Sequence, residues 1–296
     1  MTTSSVTTSS VPSILRPAAR RSTAADEIDY EIKGHEMQFV EIELDPGESA
    51  IAEAGAMMFK HPAIALDTVF GDGSKPDTGI FGKLAAAGKR LLTGENLFMT
   101  VFSNQGPGKQ RVAFAAPYPG SILPFHLAQS GGVLICQKDA FLCAAKGVSI
   151  GIHFQRKIGV GVFGGAGFIM QRIEGDGWVF VHAGGTIVER DLAPGEHLHV
   201  DTGCVVAMEP SVGFDIVRAG SVKSMIFGGE GFFFADMTGP GRVWLQSLPF
   251  SRLAGRIRAL IPASGPSSSG FTWGTGSSSS DSGWSSDSSS DSSGSD

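Results

Sequence analysis

The fold is decided by a segment that occurs twice, as Val40-Glu41-Ile42-Glu43-Leu44-Asp45-Pro46-Gly47-Glu48 and as Val188-Glu189-Arg190-Asp191-Leu192-Ala193-Pro194-Gly195-Glu196. The two copies lie 148 residues apart, and a further glycine follows each at the same distance, Gly55 in the first and Gly203 in the second. Apolar and polar residues alternate before the first Pro-Gly, which is the period of a β-strand. Proline presets φ and the following glycine permits a positive φ. Each copy therefore predicts a strand, a tight turn and a second strand.

A third Pro-Gly lies between these copies, at Pro119-Gly120, 73 residues after Pro46 and 75 before Pro194. A glycine-containing element also recurs three times, as Gly94–Phe98, Gly165–Ile169 and Gly229–Phe233. Each is followed by a short strand pattern, a glycine turn and a new apolar strand; the turns are Gly106-Pro107-Gly108, Gly175-Asp176-Gly177 and Gly239-Pro240-Gly241. Two elements that recur in one order predict an all-β chain with three tandem units of about 70 residues.

These repeats define the predicted domain organisation. We expect a disordered Ser/Thr-rich head, a helical extension after the third unit and a disordered Ser/Gly/Asp-rich tail, because the two ends have too few apolar residues to form a core. Helices are predicted at Phe81–Leu92 and Pro249–Leu260. The boundaries are head 1–26, units 27–108, 109–175 and 176–250, extension 251–262 and tail 263–296.

Composition and charge exclude several classes of function. The 296 residues carry a formal net charge of −6, which predicts no general affinity for nucleic acid. The three cysteines, Cys136, Cys143 and Cys204, form no C-x-x-C motif, so we expect no disulfide framework and a reducing compartment. No apolar run is long enough to span a membrane. We therefore predict a cytoplasmic protein; the alternative is a mitochondrial one, if the Ser/Arg-rich residues 1–25 are a transit peptide.

One segment has the pattern of a metal site. His197, His199 and Asp201 alternate along a predicted strand, so their side chains face the same way, and two imidazoles with a carboxylate are ligands for a transition metal. The corresponding residues of the first copy are Ser49, Ile51 and Glu53, which are not a metal set. We therefore predict no metal and no other cofactor, and interpret His197–Asp201 as a surface or interface strand, with a cupin-like metal enzyme as the alternative.

Basic residues precede each of the three glycine elements. In a ring they could line one face and contact the phosphates of RNA or a small anionic ligand; the other interpretation is solvated loop charge. The candidates are Lys89, Arg90, Arg156, Lys157, Arg218 and Lys223. The run Gly159–Gly164 resembles a phosphate-binding loop, but it leads into a strand rather than a helix, which favours a turn.

The segments Pro46-Gly47-Glu48, Gly229-Glu230-Gly231-Phe232-Phe233 and Thr238-Gly239-Pro240-Gly241-Arg242-Val243-Trp244 resemble the altered-inheritance-of-mitochondria family. The domain of that family is similar to the tryptophan RNA-binding attenuator protein (TRAP). The resemblance implies that each unit is a short double-stranded β-helix or β-sandwich, that the three TRAP-like units have pseudo-threefold symmetry, and that three chains close a ring of nine units. The tryptophan-binding and RNA-binding residues of the attenuator protein have no match in this sequence.

The sequence thus predicts a non-enzymatic, homotrimeric β scaffold or binding module whose ligand it does not identify. The alternatives are a ring that binds a small molecule or RNA at its unit interfaces or rim, and the metal enzyme described above.

Overall fold

The computed structural model describes residues 25–53, 55–70, 98–156, 167–218 and 233–260. These ranges contain nineteen strands and one α-helix, so the predicted all-β class is confirmed. The strands are β1 Asp29–Lys33, β2 Phe39–Leu44, β3 Ser49–Glu53, β4 Met57–Lys60, β5 Ile64–Phe70, β6 Phe98–Asn104, β7 Gln110–Ala115, β8 Gly120–His126, β9 Val133–Gln137, β10 Phe141–Ala145, β11 Ser149–Arg156, β12 Phe168–Glu174, β13 Trp178–Gly184, β14 Ile187–Leu192, β15 His197–Asp201, β16 Val205–Met208, β17 Gly213–Arg218, β18 Phe233–Thr238 and β19 Gly241–Gln246. The helix, α1, is Phe250–Leu260.

The strands form four antiparallel sheets. In spatial order these are β1-β2-β7-β4, β5-β6-β3-β10-β13-β8, β11-β12-β9-β16-β19-β14 and β15-β18-β17. Three apolar clusters are built from side chains of successive sheets: the first cluster joins Ile42 of the first sheet to Phe180 of the second, the next joins Val181 to Cys136 of the third, and the last joins Met170 to Met237 of the fourth. The four sheets are therefore stacked, with an apolar core between each adjacent pair.

One set of four pairings occurs three times along the chain. The sets are β2–β7, β4–β7, β3–β6 and β5–β6; then β8–β13, β10–β13, β9–β12 and β11–β12; then β14–β19, β16–β19, β15–β18 and β17–β18. Two further pairings, β3–β10 and β9–β16, join one set to the next. Each inner sheet is therefore shared between two consecutive sets.

The two predicted Pro-Gly turns have the same geometry. Gly47 and Gly195 have φ of 91° and 76°, which is the left-handed region that favours glycine. In each turn the glutamate after the glycine accepts a hydrogen bond of 2.8 Å from the backbone N–H three residues earlier, Glu48 from Asp45 and Glu196 from Ala193. The flanking strands belong to different sheets, so each turn is a corner between sheets.

The assignment of Pro119-Gly120 as a third copy of this turn is wrong. Gly120 begins β8, and its pairing with Gly184 makes β8 the counterpart of β2 and β14, which precede their Pro-Gly turns. A Cβ at Gly120 would lie 2.1 Å from the carbonyl oxygen of Ala183, so close packing requires this glycine. In the middle set, the connection after β8 is instead a 3-10 turn, Leu127–Ser130, ended by Gly131 with φ of 78°.

The predicted helix at Pro249–Leu260 is confirmed as α1. The other predicted helix, Phe81–Leu92, lies outside the described residues, as do the tail and Gly159–Gly164. Of the predicted head only Ala25 and Asp26 are described: the N–H of Ala25 donates to Asp176, and the carboxylate of Asp26 accepts from the N–H of Ser49, each over 2.8 Å. In the described ranges, no helix combines the length and the apolar character needed to cross a bilayer.

Candidate functional site

Two strand edges stand out because their counterparts elsewhere in the chain are paired. Strand β4 corresponds to β10 and β16, which pair with β3 and β9. Strand β15 corresponds to β3 and β9. In the described part of the chain, no strand covers the outer edge of β4 or of β15. Both edges therefore present backbone N–H and C=O groups that can pair with another chain.

The β4 edge is apolar. Met57, Met58 and Phe59 are all exposed, Met58 by 56% and Phe59 by 43%. The ring of Phe59 lies edge-on to Phe39, 6.5 Å away between ring centres. Large apolar side chains that stay exposed in a row on an edge strand are typical of a surface that a partner covers.

The β15 edge is polar on its outer face and apolar on its inner face. Val200 is buried in the last apolar cluster. His197 and His199 alternate with it and point outward, and both approach a carboxylate on the neighbouring strand. The Nδ1 of His197 and the Nε2 of His199 lie 3.0 and 3.7 Å from Oδ1 of Asp236. The pair of imidazoles predicted from the sequence thus converges on Asp236.

Asp201, the third predicted member of the metal set, is directed elsewhere. Its Oδ1 accepts a hydrogen bond of 2.9 Å from the N–H of Gly203, and its Oδ2 lies 3.4 Å from Arg252 of α1. Within the described ranges, no group of three or more His, Cys, Asp or Glu residues is spaced to hold a metal ion. Asp236 escaped the sequence reasoning because it lies on a different strand, and only the β15–β18 register brings it opposite His199.

Two of the six basic candidates lie in the described residues. Arg156 makes an ion pair of 3.1 Å with Asp215 and also donates to the carbonyl of Ile216, so it links β11 to β17. Arg218 is exposed at the end of β17. The other four, Lys89, Arg90, Lys157 and Lys223, lie outside the described residues. The predicted anion-binding face therefore stays a prediction.

No disulfide joins Cys136, Cys143 and Cys204, all of which are described residues. Cys136 and Cys143 are fully buried, and burial raises the pKa of both thiols far above the ordinary value. A thiol held in its protonated form is a poor nucleophile. Cys204 is half-buried, with its Sγ 3.8 Å from the Arg252 guanidinium.

Glu53 is the one carboxyl with a strongly displaced pKa among those described. It ends β3, and burial raises its pKa to about 7, although the positive charge of Lys138 acts in the opposite direction. The counterparts of Glu53 are Gln137 and Asp201. This acid lies at the junction between the first two strand sets.

A surface groove of about 320 Å³ crosses the outer face of the first sheet. Its lining is Asp29, Tyr30, Glu31, Glu41, Glu43 and Arg111. Hydrogen bonds from Lys109 and Arg111 lower the pKa of Glu43, and one from Lys33 lowers that of Glu41. The groove is therefore a network of paired charges on the surface, a poor match to the enclosed, mainly apolar sites that bind small molecules.

The comparisons with known proteins agree with the resemblance seen in the sequence. The chain is 29% identical over 232 residues to an uncharacterized protein of Streptococcus pyogenes serotype M6, covering 77% of this chain and 89% of that protein. A crystal structure of a Streptococcus pyogenes protein, 24% identical, matches with a TM-score of 0.63 over 79% of this chain and all of that one, which supports the fold. The model of the mitochondrial biogenesis AIM24 family matches residues 30–248. The chain therefore belongs to the mitochondrial biogenesis AIM24 family.

Proposed function

We propose that the protein is a non-enzymatic β scaffold or binding module that assembles with its own copies through β4 and β15. One observation carries the proposal: the counterparts of these two edges already pair with each other inside the chain, as β3–β10 and β9–β16. An edge of β15 and an edge of β4 from a second copy would repeat the same junction between chains. This is a head-to-tail interface, which closes into a ring when the rotation per copy allows it.

On this proposal the chain is three tandem TRAP-like units, each made of one set of pairings. The units then span 39–115, 120–184 and 187–246, so that each strand lies with its partners. These boundaries fall after β7 and β13, later than the predicted boundaries at 108 and 175. Three chains would close a ring of nine units, as the family resemblance implies.

The internal junctions fix the register of the proposed junction. In β3–β10, Ala144 lies opposite Ile51, and in β9–β16, Met208 lies opposite Ile135. Pairing within the sets makes Lys60 the counterpart of Ala144 and Met208, and His199 the counterpart of Ile51 and Ile135. On this register Lys60 of one copy would lie opposite His199 of the next.

The side chains of the two edges are compatible with that register. Phe59 would come opposite Val200, next to the apolar cluster of the last two sheets. Lys60 would lie in the same row as His199, whose neighbour across the strand is Asp236. The interface would thus combine apolar contact with a carboxylate that faces a lysine.

The candidate site residues in the described ranges are already occupied by structural contacts, and this supports a scaffold rather than an enzyme. Asp201 holds a turn, Arg156 joins two strands, and burial raises the pKa of the thiols of Cys136 and Cys143. Each has a structural role that accounts for its position. The proposed function of the described residues is therefore binding rather than catalysis.

Disulfide trapping tests the register directly. In the double variant Lys60→Cys/His199→Cys, the two cysteines would lie opposite each other on adjacent strands, about 4.5–5.5 Å apart between Cα atoms, which a disulfide spans. The matched control is Lys60→Cys/His197→Cys, whose cysteines would be about 7–8 Å apart, at or beyond the limit. We expect covalent oligomers on non-reducing gels from the first variant at a clear excess over the control and over the single variants. Equal yields would contradict the proposed junction.

Light scattering of the purified chain tests the assembly itself. One chain is 30.9 kDa, so a ring of three has a mass of 3 × 30.9 ≈ 93 kDa. Phe59→Asp places a charge in the proposed interface and is expected to give a folded monomer, whereas Val188→Asp, at an exposed apolar residue outside it, keeps the mass of the wild type. A wild-type chain that remains monomeric at high concentration would overturn the proposal.

A further inference from the structure

Leu66 of β5 points inward and is nevertheless exposed. It lies opposite Phe102, which is buried in the apolar cluster of the first two sheets, and side chains directly opposite each other share a face. The corresponding residue of the middle set is Ile150, which lies opposite Ile173. Leu66 is 45% exposed, whereas Ile150 is 7% exposed. The pairing within the two sets is the same, so the difference lies in what covers the two residues.

Ile150 packs with the outward face of the preceding set. It shares the apolar cluster between the second and third sheets with Met99 of β6, and Val69 of β5 packs against the same cluster. Met99 and Val69 lie opposite each other in the first set. The outward pair of the first set thus covers the inward residue of the middle set.

The same contact recurs one set later. In the middle set the corresponding outward pair is Phe154 and Met170. The ring of Phe154 lies edge-on to that of Phe214 on β17, with 5.1 Å between ring centres. Phe214 lies opposite Met237 and occupies in the last set the inward position that Leu66 has in the first. Both junctions within the chain therefore combine an edge pairing with a contact between faces.

The first and last sets each hold one half of a further contact of this kind. In the last set the outward pair is Val217 and Phe234, which lie opposite each other on β17 and β18. Both are half-buried, whereas Met99, the counterpart of Phe234, is fully buried. The ring of Phe234 stacks on that of His199, 6.1 Å away, so the apolar pair adjoins the β15 edge. Among the described residues, no following set covers this pair and no preceding set covers Leu66.

We propose that Val217 and Phe234 of one copy pack on Leu66 of the next copy, as a second part of the interface that joins β15 to β4. The inference rests on the proposed function, since it requires that junction. The first sheet of each copy is stacked on the second, which contains β5. Extending the first sheet with the fourth sheet of another copy would place the outward face of that sheet over Leu66, and this geometry selects a second copy as the occupant.

Thiol protection at position 66 tests the inference. Leu66→Cys is made in a Cys204→Ser background, in which the two remaining native cysteines are fully buried. The rate of maleimide labelling is compared between the assembled protein and the same chain carrying Phe59→Asp, which is expected to be monomeric. We expect labelling about tenfold slower in the assembled state. Asp67→Cys is the matched control, because Asp67 is exposed on the opposite face of β5 and is expected to react equally in both states.

The outcomes separate this contact from the assembly itself. Val217→Cys, on the other side of the contact, is expected to show the same protection, so the test does not depend on one variant. Equal labelling of both variants in the assembled and monomeric states would overturn the face contact and leave the β4–β15 junction standing. Equal protection of Leu66→Cys in both states would assign the cover to the same chain and also overturn the inference. A wild-type chain that light scattering shows to be monomeric would overturn the proposed function, and the inference with it.

Discussion

Strands β3 and β15 occupy corresponding positions but have different surroundings. Each follows a Pro-Gly corner of the same geometry and pairs with the fifth strand of its own set. Strand β3 is paired on both sides, and four of its five residues are buried. Strand β15 is paired on one side, and among its five residues only Val200 is buried. The inward side chains stay apolar in both, whereas the outward ones change from Ser49 and Ile51 to His197 and His199.

This difference shows which part of a repeated strand is set by the repeat and which by its neighbours. The corner, the register and the inward side chains are common to both strands because each set must close its own core. The outward side chains differ in polarity according to whether another layer of the protein buries them. In β3 that is the core of the next set, which receives Ile51. No such set covers β15 in the part of the chain that the structure describes.

The largest expected effect is the difference in stability between substitutions at two corresponding outward side chains, Ile51 and His199. Ile51→Ala leaves a cavity in a fully buried site and is expected to lower the free energy of unfolding by about 2–5 kcal/mol. His199→Ala, at the corresponding exposed site, is expected to change it by less than about 0.5 kcal/mol. Urea unfolding of both variants under identical conditions measures the two values. Comparable losses would contradict the view that no covering layer from the described residues of its own chain lies on β15.

The sequence was sufficient for the strands and corners but not for their partners. Alternation before Pro46-Gly47, the second copy of that segment at Pro194-Gly195 and the glycine turns located the strands, since these are local signals. Pairing across sheets is a long-range property, so the sequence left open that each corner joins two sheets. It also gave Pro119-Gly120 the wrong role, because a glycine needed for close packing against Ala183 looks the same as one needed for a positive φ.

The candidate site was predicted in part, for the same reason. The alternation of His197 and His199 indicated correctly that they share a face, which depends on one strand alone. Their common partner, Asp236, depends on the register between two strands that are distant in sequence, with His197 and Asp236 39 residues apart. The open edges of β4 and β15 emerge only when all the pairings are compared, since neither edge has a sequence motif of its own.

The next largest effect concerns the acidic residue that ends each of these strands, Glu53 in β3 and Asp201 in β15. Glu53 is half-buried, and desolvation of its carboxyl raises the pKa from 4.5 to about 7. The folded protein therefore binds this proton more tightly than the unfolded chain does. The contribution of Glu53 to stability is fully present below pH 4.5 and is lost as the pH rises to about 7, where the carboxyl must ionise in a desolvated site.

Glu53→Gln copies the residue that the middle set has at this position, Gln137, and removes that loss. We expect the variant to equal the wild type near pH 4 and to exceed its free energy of unfolding by up to about 3 kcal/mol at pH 8. Asp201→Asn is the control at the third corresponding position, where the side chain is partly exposed and its Oδ1 still accepts from Gly203. Unfolding curves from pH 4 to 8 that differ by a constant between wild type and Glu53→Gln would contradict the burial of an ionisable group there.

The smallest effect tests what the two strands have in common. Gly47 and Gly195 have positive φ, and a Cβ at either would meet no atom within 4 Å, so an alanine there is disfavoured by its backbone conformation alone. Gly47→Ala and Gly195→Ala are each expected to lower the free energy of unfolding by about 1 kcal/mol. Near-equal losses by urea unfolding would confirm that the corners are equivalent and that β3 and β15 diverge after them. A much larger loss for Gly47→Ala would mean that the buried strand also constrains its corner, because the turn before β3 would then have less freedom to relax than the turn before β15.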